Sequence, residues 1–271
     1  MLNKHLLKLI IFSLFIYAPS AKTAECLNDK ITRVTGKNEC LAIHTFVKNS
    51  ESKIINLVIF IHGDQSDGKP VRSMIDNAEA TTVPSGTVKV SILRPGYQGG
   101  GRDSTGDRCG VRGWCYGVKN VNEMTAAIQS LKDYYKPLKT IIIGHSGGAT
   151  ITGVMIGRTP GIAEGAILLA CNCNISQRLV DRNITKNTQE ILSNELSPSD
   201  FVKNIPKTTK VIAITGAADN NTRDVIAKDY IKSLIDLNIS AQFKSSRSQF
   251  EGHEQINIPI YIEEALNELL K

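Results

Sequence analysis

The organisation of the chain is set by Thr140-Ile141-Ile142-Ile143-Gly144-His145-Ser146-Gly147-Gly148. An apolar, β-branched run ends in Gly-x-Ser-x-Gly. Ala149-Thr150-Ile151-Thr152-Gly153-Val154-Met155-Ile156-Gly157 then continues as a small, apolar helical pattern. Strand, sharp turn and helix together form the context in which such a turn lifts a serine hydroxyl clear of the sheet. A serine hydroxyl is a poor nucleophile unless it stands exposed beside a base. The flanking glycines fit because a side chain there would collide with neighbouring backbone. Ser146 is therefore the candidate nucleophile. Gly147, the next residue, is the candidate donor of one oxyanion N–H.

Further strands flank this unit. Ile54 to Ile61 is a mostly apolar run closed by His62-Gly63-Asp64-Gln65. Val88 to Leu93 leads into Arg94-Pro95-Gly96-Tyr97. Lys210 to Thr215 reads as a buried strand followed by Gly216-Ala217-Ala218-Asp219. Phe250-Glu251-Gly252-His253-Glu254 is a polar turn before the last helical stretch, Ile258 to Leu270. A carboxylate just past a strand end is well placed to orient an imidazole.

On these residues the chain resembles the α/β-hydrolase superfamily, from about Ile54 to the C-terminus. The resemblance implies the chain order nucleophile, acid, histidine. Of the five histidines, His5, His44 and His62 precede the serine and His145 lies inside the turn, which leaves His253 as the base. It implies Ser146, Asp219 and His253 as the catalytic triad. Asp224 and Asp229 lie on the following helix and read as solvated surface. The second oxyanion N–H would come from Asp64 or Gln65, with His62 buttressing their loop. Here the sequence departs from the family, which carries glycines or small apolar residues at this point. A carboxylate beside the oxyanion would oppose catalysis unless its side chain points away.

The strands at Leu41–Val47, Ile54–Ile61, Val88–Leu93, Thr140–Ile143, Ala166–Ala170, Lys210–Thr215 and Ser240–Lys244 alternate with helical patterns at Val121–Tyr134, Ser146–Gly157 and Thr222–Leu237. This alternation predicts an α/β fold: a mostly parallel sheet covered on both faces, in a single domain with small insertions. Ligands in such sheets bind at the carboxyl ends of the strands, where all the candidate residues map. Two insertions overhang that edge. Pro95 to Val118 carries Tyr97, Arg102, Arg108, Arg112 and Trp114; Tyr97, Arg102 and Arg108 are the candidate substrate-binding residues, and the arginines would select an anionic or carbonyl-rich substrate. Cys171 to Thr209 is polar and too poor in apolar residues for a lipid-binding lid.

The chain has 271 residues, enough for one sizeable core. Its start is basic (Lys4, Lys8), then apolar from Leu9 to Tyr17, then small at Ala18-Pro19-Ser20. This is a signal-peptide pattern, expected to span about residues 1–24 and leave 25–271 as the mature domain. The formal net charge of +6 includes Lys4, Lys8 and Lys22, so cleavage leaves +3. No basic-aromatic stripe is present, and nucleic acid is not an expected partner. The expected partner is a small-molecule acyl substrate. No stable membrane span is expected after cleavage, and no cofactor or metal.

All six cysteines, Cys26, Cys40, Cys109, Cys115, Cys171 and Cys173, fall in the mature part. An even count behind a signal peptide predicts disulfides in the periplasm or outside the cell. Proximity favours Cys26–Cys40 and Cys109–Cys115. Within a strand, Cys171 and Cys173 would lie roughly 6.6 Å apart, near the limit for a bridge, so they can pair only where the strand has ended. The expected activity is a serine hydrolase cleaving carboxylic esters through an acyl-enzyme on Ser146. The alternatives are a peptidase or amidase of the same fold, and a non-catalytic binding protein with a vestigial site.

Overall fold

The computed structural model describes residues 26–47, 53–109 and 114–271. The expected signal peptide and Arg112 lie outside the described residues. In chain order the elements begin with β1 (Arg33–Thr35), β2 (Cys40–Val47), β3 (Asn56–Ile61), α1 (Ser73–Ala80), β4 (Thr87–Ile92), β5 (Gln98–Gly99) and β6 (Arg102–Asp103). They continue with α2 (Val118–Tyr135), β7 (Lys139–His145), α3 (Gly147–Arg158), β8 (Gly165–Leu169), α4 (Ile175–Asp181) and α5 (Thr188–Asn194). A 3-10 turn at Pro198–Asn204 precedes β9 (Lys210–Thr215), α6 (Asp224–Asp236), β10 (Ala241–Ser245) and α7 (Pro259–Leu269).

Eight strands form one sheet in the order β1-β2-β4-β3-β7-β8-β9-β10. From β4 to β10 every pairing is parallel, and β1 and β2 add antiparallel at the edge. Parallel strands covered on both faces should be apolar throughout, and β3 (Asn-Leu-Val-Ile-Phe-Ile) is buried at every position. Successive side chains alternate between two cores. Leu57, Ile59, Ile61 and Ile142 join the core under α2, α3 and α6. Val58, Phe60, Ile141 and Ile143 join the one under α1 and α7.

Most strands and long helices lie within a few residues of their predicted bounds. Two departures have physical reasons. The strand predicted at Thr140–Ile143 runs on to His145, because Gly144 and His145 keep their register with Leu168 and Leu169 of β8. The polar side chain at 145 hides a pairing that the neighbouring strand enforces. The helices α1 and α4 were not predicted: at eight and seven residues each shows barely two turns of periodicity.

Three disulfides, Cys26–Cys40, Cys109–Cys115 and Cys171–Cys173, brace the loops. β8 ends at Leu169 and Ala170 takes φ +49°, so Cys171 and Cys173 lie beyond the strand with Cα atoms 5.1 Å apart. Among the described residues no helix is long and apolar enough to cross a membrane.

Candidate active site

β7 lies in the middle of the sheet, between β3 and β8, and delivers Ser146 at its carboxyl end. Ser146 takes φ +52° and ψ −118°, outside the ordinary range for an L-residue. Such a conformation costs about 1–3 kcal/mol and persists only where the surroundings over-determine it. Here they do. The Ser146 N–H donates to Leu169 O at 2.8 Å. A Cβ on Gly144 would lie 2.3 Å from Gly148 O, and one on Gly148 would lie 2.2 Å from Ile61 O. Only glycine at both ends lets β7, the turn and α3 close up against β3.

His253 reaches in from the loop after β10. Its Nε2 lies 2.9 Å from Ser146 Oγ and its Nδ1 lies 2.8 Å from Asp219 Oδ2. Asp219, in the loop after β9, also accepts from Asn221 N at 2.7 Å, Thr222 N at 2.9 Å and Thr222 Oγ1 at 2.8 Å. Burial alone would raise this carboxyl. The His253 hydrogen bond and charge, with the Thr222 donors, outweigh it and hold Asp219 below the usual carboxylate range. The two loops are tied together: Ala218 N donates to Glu251 O at 2.9 Å, and a Cβ on Gly216 would lie 2.3 Å from Gly252 O. His145, buried beside His253, donates Nε2–H to His253 O at 3.0 Å. Glu251 instead accepts from Tyr261 and Ser248 N, and Asp224 pairs with Lys228 on the surface of α6.

The loop after β3 faces Ser146. His62 is fully buried; its Nε2 accepts from Arg94 N at 3.0 Å, so Nδ1 carries the proton and donates to Gly63 O at 2.7 Å. Burial, reinforced by Arg94, drives its pKa down to about 3 and keeps it neutral. Against the expectation that it points away, the Asp64 carboxylate lies over Gly147, where a Cβ would meet Asp64 Oδ1 at 2.3 Å. It faces a buried cation: Arg94 Nη1 donates to Oδ1 at 2.7 Å, and Tyr116 OH donates to Oδ2. The charge that the sequence places beside Ser146 is thus engaged by Arg94, which is 1 % exposed. Among the described residues no acceptor takes the N–H of Gly147, Asp64 or Gln65.

With 15 % identity and a TM-score of 0.64, an esterase from Butyrivibrio proteoclasticus, solved with ferulic acid bound, matches 89 % of the chain over 99 % of its own length. The Pyrococcus furiosus esterase Pf2001 matches at 14 % identity and TM-score 0.62, over 88 % of each chain. An acylaminoacyl peptidase from Pyrococcus horikoshii matches at 14 % identity and TM-score 0.63, and this chain spans only 40 % of its length. The chain has the α/β-hydrolase fold. No protein-family model matches it, and neither does any curated protein sequence.

In this α/β-hydrolase fold a cleft of about 470 Å³ opens above Ser146. Gly63 to Ser66, His145, Ser146 and His253 line its floor; Trp114, Arg178, Arg182, Ile184 and Asn221 line one wall, and Ser73 and Glu254, the latter close to His145 and His253, complete the lining. Three residues proposed for substrate binding from sequence do not line it. Tyr97 is 2 % exposed and packs edge-on against His62 at 4.6 Å. Arg108 lies over the Tyr97 ring and donates to Gln65 O, so it holds the loop from behind. Arg102 donates to Ile43 O at 2.7 Å and to His44 Nδ1, on the edge strand β2. The part of the insertion that carries Tyr97, Arg102 and Arg108 packs on β2 and behind the loop after β3, and among its described residues only Trp114 lines the cleft. Arg178 and Arg182 had no sequence signal: two arginines four apart on a short polar helix look like any solvated face.

One group among the described residues, His145, His253 and Glu254, brings three metal-capable atoms within 4.8 Å. Both His253 nitrogens already face Asp219 and Ser146, so an ion there would have to break those bonds.

Proposed function

We propose that this protein is a serine hydrolase that cleaves carboxylic esters. The observation that carries the reading is the unbroken relay Ser146 Oγ, His253 and Asp219, with heavy-atom separations of 2.9 and 2.8 Å. Ser146 Oγ attacks the acyl carbon while His253 Nε2 takes its proton. Asp219, ionised at neutral pH, keeps the second proton on Nδ1 and stabilises the imidazolium. The Gly147 amide and the amide of Asp64 or Gln65 receive the oxyanion. The tetrahedral intermediate collapses as His253 returns the proton to the leaving alcohol. Water then repeats the sequence on the acyl-enzyme. Arg94 and Tyr116 hold the Asp64 carboxylate so that the oxyanion meets amides and not an unbalanced negative charge.

The ester reading is preferred to an amide one because the esterases match over 88 % or more of their own length and the peptidase over 40 %. An intact relay and a strained Ser146 speak against a vestigial binding site, which gains nothing from either. We further propose an oxidising location, periplasmic or extracellular, supported by the three disulfides. The test of the activity is a fluorophosphonate probe with peptide mapping. Labelling of Ser146 together with turnover of a nitrophenyl ester is expected. A folded protein that takes no label there loses the assignment.

A further inference from the structure

The cleft wall holds two arginines for which the relay has no use. Arg178 is 7 % exposed although it lines the cleft. Its guanidinium lies 4.8 Å from the centre of the Trp114 ring. It donates Nε to Asn221 O at 3.3 Å and Nη2 to Asn221 Oδ1 at 2.8 Å. Arg182, at the C-cap of α4, donates to the same Oδ1. Asn221 is neutral, so these bonds fix both side chains without balancing either charge. Among the described residues neither arginine has a carboxylate within ion-pair distance. Nearby acids are committed elsewhere: Asp64 to Arg94, Asp219 to His253, Asp181 to Arg223. Glu254 stands exposed close to His145 and His253 and pairs with neither arginine.

A buried cation without a facing anion is costly and is seldom retained without a use. Burial pulls the Arg178 guanidinium below its ordinary value, more than Tyr116 and Asp64 lift it, and Arg182 adds to the fall. Trp114 fixes the guanidinium plane and Asn221 fixes two of its donors. Nη1 has no acceptor among the described residues. A planar fork of donors on an aromatic face suits a carboxylate. The rest of the wall offers little apolar surface beyond Trp114 and Ile184.

We propose that the substrate is an ester that itself bears a carboxylate, bound by Arg178 and Arg182 beside Trp114 while Ser146 attacks the ester carbonyl. This rests on the serine-hydrolase reading for its chemistry, but not for its binding. Arg178 is a specificity-determining residue whose charge acts on the substrate's second group.

The test compares mono-(4-nitrophenyl) glutarate with its neutral methyl ester, and separately measures stabilisation by free glutarate. Native protein should favour the monoanion by at least about tenfold in kcat/KM, and glutarate should raise Tm. Arg178→Met should cut that preference about tenfold, mainly through KM, with partial recovery in Arg178→Lys. Because Arg178 is buried, Arg182→Gln, at an exposed position, provides the second variant and should lower both the preference and the glutarate shift. Equal turnover of the two esters by native protein, or a preference untouched in both variants, overturns the inference. Ser146 labelling without any glutarate stabilisation also overturns it and leaves the hydrolase reading standing. Arginine-dependent stabilisation by glutarate without Ser146 labelling supports the anion site and removes the hydrolase reading.

Discussion

Ser146 and Arg178 face the same cleft, yet they are held in place by different means. Under Ser146 the constraint is backbone against backbone: Gly144 against Gly148, Gly148 against Ile61, Gly216 against Gly252. Under Arg178 the constraint is side-chain: an Asn174 cap whose Oδ1 accepts from Gln177 N, a ring face, an amide oxygen and the Cys171–Cys173 bridge at the base of the arm. Backbone collisions leave no room for change, because no rotamer can relieve them. Side-chain constraints can be exchanged one at a time. The floor of the cleft therefore tolerates little substitution, while its wall can change one residue at a time.

The sharpest way to break that contrast is at the floor. Ser146→Ala should lower ester turnover by about 10⁴- to 10⁶-fold, read as kcat, while the unfolding midpoint stays close to native. A residual activity within tenfold of native would place the nucleophile elsewhere. Gly148→Ala should destabilise by about 3 kcal/mol or more in urea unfolding, because its Cβ meets Ile61 O and no side chain can move aside. Val180→Ala, on the exposed face of α4, should change stability by no more than about 0.5 kcal/mol. If the two variants prove equally mild, the distinction between floor and wall fails.

Asp64→Ala tests the neutralised loop between them. It removes the carboxylate facing buried Arg94 and should cost about 3 kcal/mol, measured by denaturant unfolding. The loop should also show itself in pH. His62 takes up a proton only near pH 3 in the folded protein, but near 6.5 in the unfolded chain. Between those values the unfolded state binds more protons, so stability falls as pH drops, by up to about 1.4 kcal/mol per unit from this group. His145, lowered by burial and by His253, acts in the same direction. The slope of stability between pH 6 and 4 should be shallower in His62→Asn; an unchanged slope would mean that His62 is not held neutral.

The bridges separate by a smaller difference. Cys26–Cys40 closes a loop of about 15 residues and should contribute about 3 kcal/mol on the chain-entropy argument. Cys171–Cys173 spans two residues, so its entropic share is roughly half that. Unfolding of Cys26→Ser/Cys40→Ser and Cys171→Ser/Cys173→Ser proteins should rank them in that order. The reverse order would make the wall more dependent on its bridge than loop length predicts.

The sequence by itself determined the parallel α/β sheet, the turn around Ser146 and the strand ends that carry Asp219 and His253. These rest on short-range rules: runs such as Ile141-Ile142-Ile143 that suit a strand buried on both faces, and glycines required by sharp turns. The meeting of His253 with Ser146 and Asp219 needed chain order as well, since nothing local joins residues 107 and 34 positions apart. Only the tertiary structure decided how Asp64 can sit beside an oxyanion site, because its partners Arg94 and Tyr116 arrive from other segments. It alone moved the cleft arginines from 102 and 108 to 178 and 182. Which arginines share the cleft with Ser146 depends on which strand ends adjoin β7, and on the path each insertion takes over the sheet. No spacing within an insertion encodes that path; it is fixed by packing between elements far apart in the chain.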